Sequence, residues 1–519
     1  MNRRTRVRII KNTEISQKSL SKDQTLWVYC GLDCTLTHEI WTKIEKDLGK
    51  NDHDYRKTYQ FELDMLKPAM HMMLRGLKVD EKTVGKLKAP LVSSRVKLER
   101  MLHLFANAVW DKDLNHNSPT QLKSFLYEWL GLPPVISYVK GKQKVSTDKE
   151  ALEHLIQEYP RARPFCRTIL ALRDIDKQLN ILNCKRDSDG RVRCSFKVAG
   201  TETGRWASSE SPWGTGTNLQ NITKDMREIF VPDGDNVLFY ADLEQAESRV
   251  TAYVAGDQGY INACEGEDLH TQVVKMVWPN MGWSSDPVQN RELADRPYIG
   301  HFSYRDMCKR AGHGTNYGLS ATSLGRHLKI KLSHATRFQL LYYGGGIALA
   351  SLERWHKQDR EGGFQELIDG GTVLGSGPSS LVRIEGAFPG IRKWHSAIAN
   401  QLKENGALTT PLGRRRQFWG RIEDGTTLRK AIAYVPQSTI GDLLNLGLYR
   451  VWKELKDDGV DILGQVHDAI LGQFPKSKAD VIVPKILHCM KNPIEVNGRQ
   501  MIIPSDCEIG PNWKDMKKY

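Results

Sequence analysis

Apolar and polar positions along this 519-residue chain fall into blocks of two different periods. Val237-Leu238-Phe239-Tyr240-Ala241 has no polar alternation, the pattern of a strand buried on both faces. Asp242 closes that run, where a strand-end carboxylate is crowded on one side and open on the other. Ala246, Val250 and Tyr253 then recur at helical spacing up to Gly256-Asp257. The stretch Asp461 to Phe474 reads as two short strands joined tightly at His467-Asp468. Its flanks are apolar, so the polar tip is expected to rest on a core.

Between these blocks the period is mostly helical. Residues 51–185 read almost wholly as helices: a Met-rich amphipathic segment from Phe61 that stops at Gly76, and another over 81–107. Asn117-Ser118-Pro119 caps a helix over 121–130, and Ser146-Thr147-Asp148 caps the next. Residues 191–232 turn to strand and loop, and 261–342 are helical again. Residues 344–386 are Gly-rich and read as an irregular surface excursion. Leu412-Gly413-Arg414-Arg415-Arg416 is a basic hairpin turn expected to face phosphates, followed by a helix from about Thr427 to Trp452. Near the start, Leu26 to Thr37 leads into a helix with Leu36, Ile40, Trp41 and Ile44 on one side.

Charge narrows the partner class. Lys plus Arg number 75 against 61 Asp plus Glu, a net +14, which favours a polyanionic partner. The nine Cys include no CxxC pair, which argues against a zinc or disulfide framework and for a reducing compartment. No apolar run approaches the ~18 residues of a membrane span. Arg3, Arg4, Arg6, Arg8 and Lys11 lack a following apolar region, so no secretory signal is expected. A cytoplasmic location follows, with a short organellar presequence as the alternative.

Candidate chemistry sits on the two buried blocks and one helix. Carboxylates from separate strands can clamp two divalent ions about 3.5–4 Å apart, the arrangement for in-line phosphoryl displacement. Arg305, Lys309, His313 and Tyr317 recur every four residues, each step turning a helix ~40° beyond a full turn, so they share one face. Two cations and two rings make an odd core. Gly312, Gly314 and Gly318 lie in the same stretch, each costing a helix ~1 kcal/mol relative to Ala. That expense points to a close ligand or a helix that moves. Thr203-Gly204-Arg205 and the loop through Asn218-Leu219-Gln220-Asn221-Ile222 offer many donors for phosphates and base edges.

Taken in order, these segments resemble the motifs of family A DNA polymerases, the class of bacterial DNA polymerase I and many phage replicases. Asp242-Leu243-Glu244-Gln245-Ala246-Glu247-Ser248-Arg249 resembles motif A, Arg305 through Tyr317-Gly318 motif B, and Gln465-Val466-His467-Asp468 motif C. Thr203 to Ile222, Arg429 to Gln437, Asn117 to Leu122 and Ser146 to Asp148 resemble further blocks. The likeness runs from about residue 26 to the C-terminus. It implies an α+β right-hand fold: thumb 51–185, palm 186–260 and 406–519, and fingers 261–405 with the Gly-rich insertion about 344–386. Residues 1–50 would be a remnant or docking segment of a 3′–5′ exonuclease domain, because Tyr29-x-x-x-Asp33 resembles that domain's last motif. Glu14 is the only acid before Asp23, so no proofreading is expected of this chain alone.

The resemblance also implies roles. Asp242, Asp468 and the carbonyl of Leu243 would hold two Mg²⁺, which Mn²⁺ can replace. One ion would help deprotonate the primer 3′-hydroxyl and the other stabilise the pyrophosphate. Arg305, Lys309 and His270 would contact the triphosphate, with Lys309 as proton donor. His313 would pack on the sugar, Tyr317 near the template base, and Gln245 and Glu247 at the nucleotide, with Glu247 crowding a ribose 2′-position. Arg205, Arg429, Gln437 and His467 would line the primer–template minor groove, and Asn117, Ser146 and Thr147 would meet DNA from the thumb. Partners would be primer–template DNA, dNTPs and a separate exonuclease subunit or processivity factor, with no membrane. Four positions depart from the family pattern: Ala469 replaces a carboxylate, Leu243-Glu244 a Tyr-Ser, and His313 the usual Phe or Tyr. The rival readings are a decayed, DNA-binding scaffold and a single-subunit RNA polymerase.

Overall fold

The structure is a computed structural model that describes residues 21–49, 53–110, 112–139, 142–266, 268–359, 362–377 and 379–519. Its central sheet is built from β1 (Asn236–Leu243), β2 (Asp461–Val466), β3 (Ala469–Pro475), β4 (Ser505–Gly510) and β5 (Lys517–Lys518). The order is β2-β3-β1-β4-β5, antiparallel throughout. The uninterrupted apolar run therefore becomes the middle strand, with Val237, Leu238, Phe239 and Ala241 all buried. Phe239 stacks on Phe474 of β3 at 5.8 Å. Gly472 makes that contact possible, since a Cβ there would lie 2.3 Å from the Phe239 ring. Val466 pairs with Ala469, so His467-Asp468 is the two-residue tip of the β2–β3 hairpin. His467 takes the left-handed conformation at φ 56°.

The helices used below are α1 (Lys22–Asp47), α2 (Arg56–Arg75), α3 (Glu81–Trp110), α4 (Arg163–Leu182), α5 (Ala246–Ala255), α6 (Leu269–Val277), α7 (Tyr304–Asn316), α8 (Leu332–Tyr343) and α9 (Gly425–Leu455). No helix among the described residues is long and apolar enough to cross a membrane.

The chain divides into two compact units. One runs to Leu63 and includes Gly413–Arg415; the other is Asp64–Leu412 with Arg416–Tyr519. In the first, α1 carries Tyr29 and Asp33 one turn apart and buries none of its residues. Trp41 stacks on Tyr59 at 5.0 Å, and Arg414 pairs with Glu62. The basic residues Arg3 to Lys11, and Glu14, lie outside the described residues.

In the second unit, Gly76 ends α2 at φ 65°, its N–H donating to the Met72 carbonyl. Helices α3 and α4 enclose a core that includes Leu102, Ala106, Phe125, Leu155 and Ile169. The helix capped by Ser118 runs over Pro119–Lys123 and widens to a π-helical turn over Ser124–Trp129. A hairpin of Pro297–Ile299 with Phe302–Ser303 interrupts the expected helices before α7. Gly318 lies beyond α7 at φ 70°, so only Gly312 and Gly314 are within it. Gly312 faces the Tyr342 ring, where a Cβ would make ordinary contact at 3.4 Å.

The 344–386 stretch is regular, contrary to expectation. Gly345–Ala348, Leu381–Ile384 and Thr372–Leu374 form a three-stranded sheet in that order, with helices Leu349–Gln358 and Gly363–Asp369. Leu340, Leu352, Phe364, Leu367, Val382 and Ile384 give it a core of its own. Its glycines serve two ends: a Cβ on Gly371 would lie 2.3 Å from Val382, whereas Gly362, Gly375 and Gly377 have open space and positive φ, as turns require. The basic turn is a hairpin as expected, but Arg416 pairs with Glu202 and lies 4.5 Å over the Phe418 ring, so it is committed internally.

Candidate active site

The end of β1 and the tip of the β2–β3 hairpin meet. The Leu243 N–H donates to the Asp468 carbonyl at 3.2 Å, which ties the two carboxylate-bearing ends together. Asp242 keeps one open face while protein crowds its others. That burial, and then the Asp468 charge, push its carboxyl up to about 6. Burial raises Asp468 as well; Arg205 opposes the shift and Glu247 adds to it. Two carboxylates that resist ionising side by side lack positive charge.

Arg205 is the cation beside Asp468. Its Nη2 lies 3.4 Å from Asp468 Oδ1 and 3.3 Å from Glu247 Oε1, and its Nε donates to the Gln437 carbonyl at 3.4 Å. Glu247, in the first turn of α5, also meets His313 of α7, with Nδ1 3.1 Å from Oε2. The Tyr317 ring, one residue past α7, sits edge-on to His313 at 4.9 Å. Burial and the Glu247 carboxylate hold the Tyr317 phenol well above its ordinary range. Gln245 precedes α5, exposed and left-handed at φ 53°.

Two turns back on α7 lies a cationic cluster. Arg305 donates to Asp268 through Nε at 3.1 Å and Nη2 at 3.2 Å, and Arg291 Nη1 reaches the same carboxylate at 3.1 Å. Asp268 also caps α6, accepting from the His270 N–H. Burial would raise Asp268, but Arg305 and Thr271 outweigh it and hold it at about 2. Burial, then Arg305, depress His270 to about 4, so its imidazole is neutral near pH 7. Lys309 is exposed between the two clusters.

Beside the hairpin tip is a cleft of about 620 Å³ lined by Lys177, Asn180, Asn218, Gln220, Asn221 and His467. A smaller cavity of about 130 Å³ shares Gln220 and His467 and adds Arg205, Trp206 and Gln465. Gln465 donates to Asn445 at 2.6 Å, both fully buried.

The structure thus gathers Asp242, Asp468, Leu243, Arg205, Glu247, His313 and Tyr317, and separately His270 with Arg305. Arg429, exposed on α9 two turns before Gln437, lines neither cavity. Ser146 and Thr147 are buried, at 7% and 5% exposure, which leaves little of either side chain for a nucleic acid. Asp148 is the actual cap, and the Thr147 and His116 carbonyls accept from Arg173. Asn117 is exposed, with its amide on Asp176. Sequence reasoning missed Arg291 and Asn445. The Arg291 helix, Pro287–Ala294, reaches Asp268 only through the fold, and no spacing signals it.

The sheet with its paired strand-end carboxylates and flanking helices is the palm of a right-hand polymerase fold. The family model for DNA polymerase family A matches residues 86–345 and 383–515, and the chain belongs to that family. The interruption coincides with the small inserted module. The chain is 26% identical to DNA polymerase I of Caldicellulosiruptor bescii over 98% of this chain and 52% of that protein. It is 24% identical to the thermostable DNA polymerase I of Thermus thermophilus over 88% and 48%. It therefore spans about half the length of the curated relatives it matches. Among solved structures, the POL domain of Pol1 from M. smegmatis, in complex with DNA primer–template and dNTP, has a TM-score of 0.63 at 24% identity. That likeness covers 87% of this chain and 70% of that one.

Proposed function

We propose that the chain is a template-directed DNA polymerase that adds dNTPs to a primer 3′-hydroxyl. The observation carrying this reading is α7 itself. His313 lies eight residues from Arg305, about 12 Å along the helix, and so links the carboxylate end of the sheet to the cationic cluster. A nucleoside triphosphate laid along α7 would have its phosphates at Arg305 and Lys309 and its sugar at His313 and Glu247.

Metal dependence goes with the family. Asp242 and Asp468 fit divalent cations, because burial raises both carboxyls and Arg205 reaches Asp468 but not Asp242. Oxygen donors suit Mg²⁺, with Mn²⁺ able to substitute, and the Leu243 carbonyl would complete the protein's share. When bound, the ions would supply hydroxyl activation and charge neutralisation at the pyrophosphate. Arg305, held in place by Asp268, would orient the triphosphate, and Lys309 would pass a proton to the leaving pyrophosphate. His270 would bond a phosphate oxygen. Glu247 would exclude a ribose 2′-hydroxyl. Amides of the cleft, with Arg205, Gln437 and His467, would test base-pair geometry in the minor groove without reading sequence.

Primer extension with Mg²⁺, comparing dNTPs with NTPs, tests the reading. Extension with dNTPs that vanishes in Asp242→Ala and Asp468→Ala supports it. Preference for NTPs would favour an RNA polymerase, and duplex binding without extension would favour a scaffold.

A further inference from the structure

We propose that His313 is a positioning residue for sugar selection, acting by holding the Glu247 carboxylate where it crowds a ribose 2′-hydroxyl. This rests on the reading of Glu247 given above. A glutamate has three rotatable side-chain bonds, and a carboxylate that swings aside excludes nothing. Here each Glu247 oxygen has its own donor: Arg205 at Oε1 and His313 at Oε2. The two holds are unequal. Arg205 divides its guanidinium among Glu247, Asp468 and the Gln437 carbonyl, all at 3.3–3.4 Å. The His313 contact is shorter, at 3.1 Å.

Tyr317 packs edge-on against the imidazole at 89° and covers one side of it. The Tyr317 phenol also faces the Glu247 carboxylate, so Glu247 is approached from Arg205, His313 and Tyr317 together. For the bond to form, Nδ1 must carry the proton, as it does in one neutral tautomer and in the imidazolium. A half-exposed pair of this kind adds little to folding stability, so its value lies in where it keeps the carboxylate. Removing it should leave a folded protein, and each variant's thermal melt checks that.

The experiment is single-turnover incorporation of a dNTP and the matching rNTP by the full chain on primer–template, read as the ratio of their kcat/KM values. A general loss of incorporation cancels in that ratio. His313→Phe keeps the ring and removes the donor, and should lower selectivity for dNTP about fivefold, the scale of a half-exposed ion pair. His313→Gln restores a donor and should recover most of the loss. Glu247→Ala should lose selectivity by at least as much, and adding His313→Phe to it should change nothing more. Wild-type selectivity in His313→Phe, with selectivity lost in Glu247→Ala, would overturn the role of His313 alone. Wild-type selectivity in Glu247→Ala would remove the reading of Glu247 and this inference with it.

Discussion

Arg305 and Lys309 lie one turn apart on the same helix, yet in different settings, and on the proposed reading Arg305 would serve binding and Lys309 chemistry. Arg305 is clamped to Asp268 by two bonds, whereas Lys309 is exposed. Asp268→Asn weakens a charge-assisted hold worth ~1.5–3 kcal/mol. It should raise the KM for dNTP about tenfold, with a smaller change in kcat. Lys309→Ala should instead lower kcat on the order of 10²-fold, as expected for loss of a proton donor. Loss of the proposed metal site should cost more: bound ions would contribute several kcal/mol, so Asp242→Asn or Asp468→Asn should reduce extension on the order of 10³-fold. Duplex binding measured by fluorescence anisotropy should stay near wild type. These residues were legible because sequence spacing alone places them on one helix face or at strand ends. Ser146 and Thr147 were legible only as part of a cap-like triplet: the cap is Asp148, and the burial of the two hydroxyl residues comes from packing that the triplet does not spell out.

At the scale of elements, α2 is joined to the sheet by an ionic knot. Asp461, the first residue of β2, accepts from His71 Nε2 at 2.7 Å, Arg75 Nε at 2.5 Å and Gln473 at 3.2 Å. Arg75 and Arg191 both reach Asp233, at 2.6 and 2.5 Å. Burial would raise Asp461, but His71 and Arg75 outweigh it and hold it at about 2. The folded pKa lies below the ordinary value of 3.8. Its stabilisation is therefore complete above about pH 4 and is lost as pH falls toward 2. Asp461→Asn should cost about 2 kcal/mol at pH 7, and the gap to wild type in urea melts should narrow below pH 4. None of this knot was legible, since His71, Arg75, Asp233 and Asp461 meet only across the fold. The strands were legible because burial on both faces leaves an unbroken apolar run. The inserted module was not, because glycine used for close packing reads like glycine used for turns.

For the whole molecule, a net charge of +14 makes nucleic-acid binding a matter of counterion release. Affinity for duplex should fall at least about tenfold between 50 and 200 mM salt. The inserted module offers a second test at this scale. Its ends are zipped together, Gly345 pairing with Ile384, and the Ala387 N–H donates to the Leu341 carbonyl at 2.8 Å. Replacing residues 347–382 by a short turn should therefore leave the polymerase body folded. The melting temperature should drop a few degrees, because Leu340 loses its cover.

The two site carboxylates ride on backbone of opposite character. β1 is flanked along its length by β3 and β4, so its amides exchange with solvent only when the sheet comes apart. The tip at His467-Asp468 projects past its strands and is tied across by the Leu243 N–H. Deuterium uptake should separate them, slow over 236–243 and fast at the tip. A divalent ion that bridges Asp242 and Asp468 should quiet the tip and leave β1 as it was, so the response to metal reads out which side of the site was waiting to be ordered.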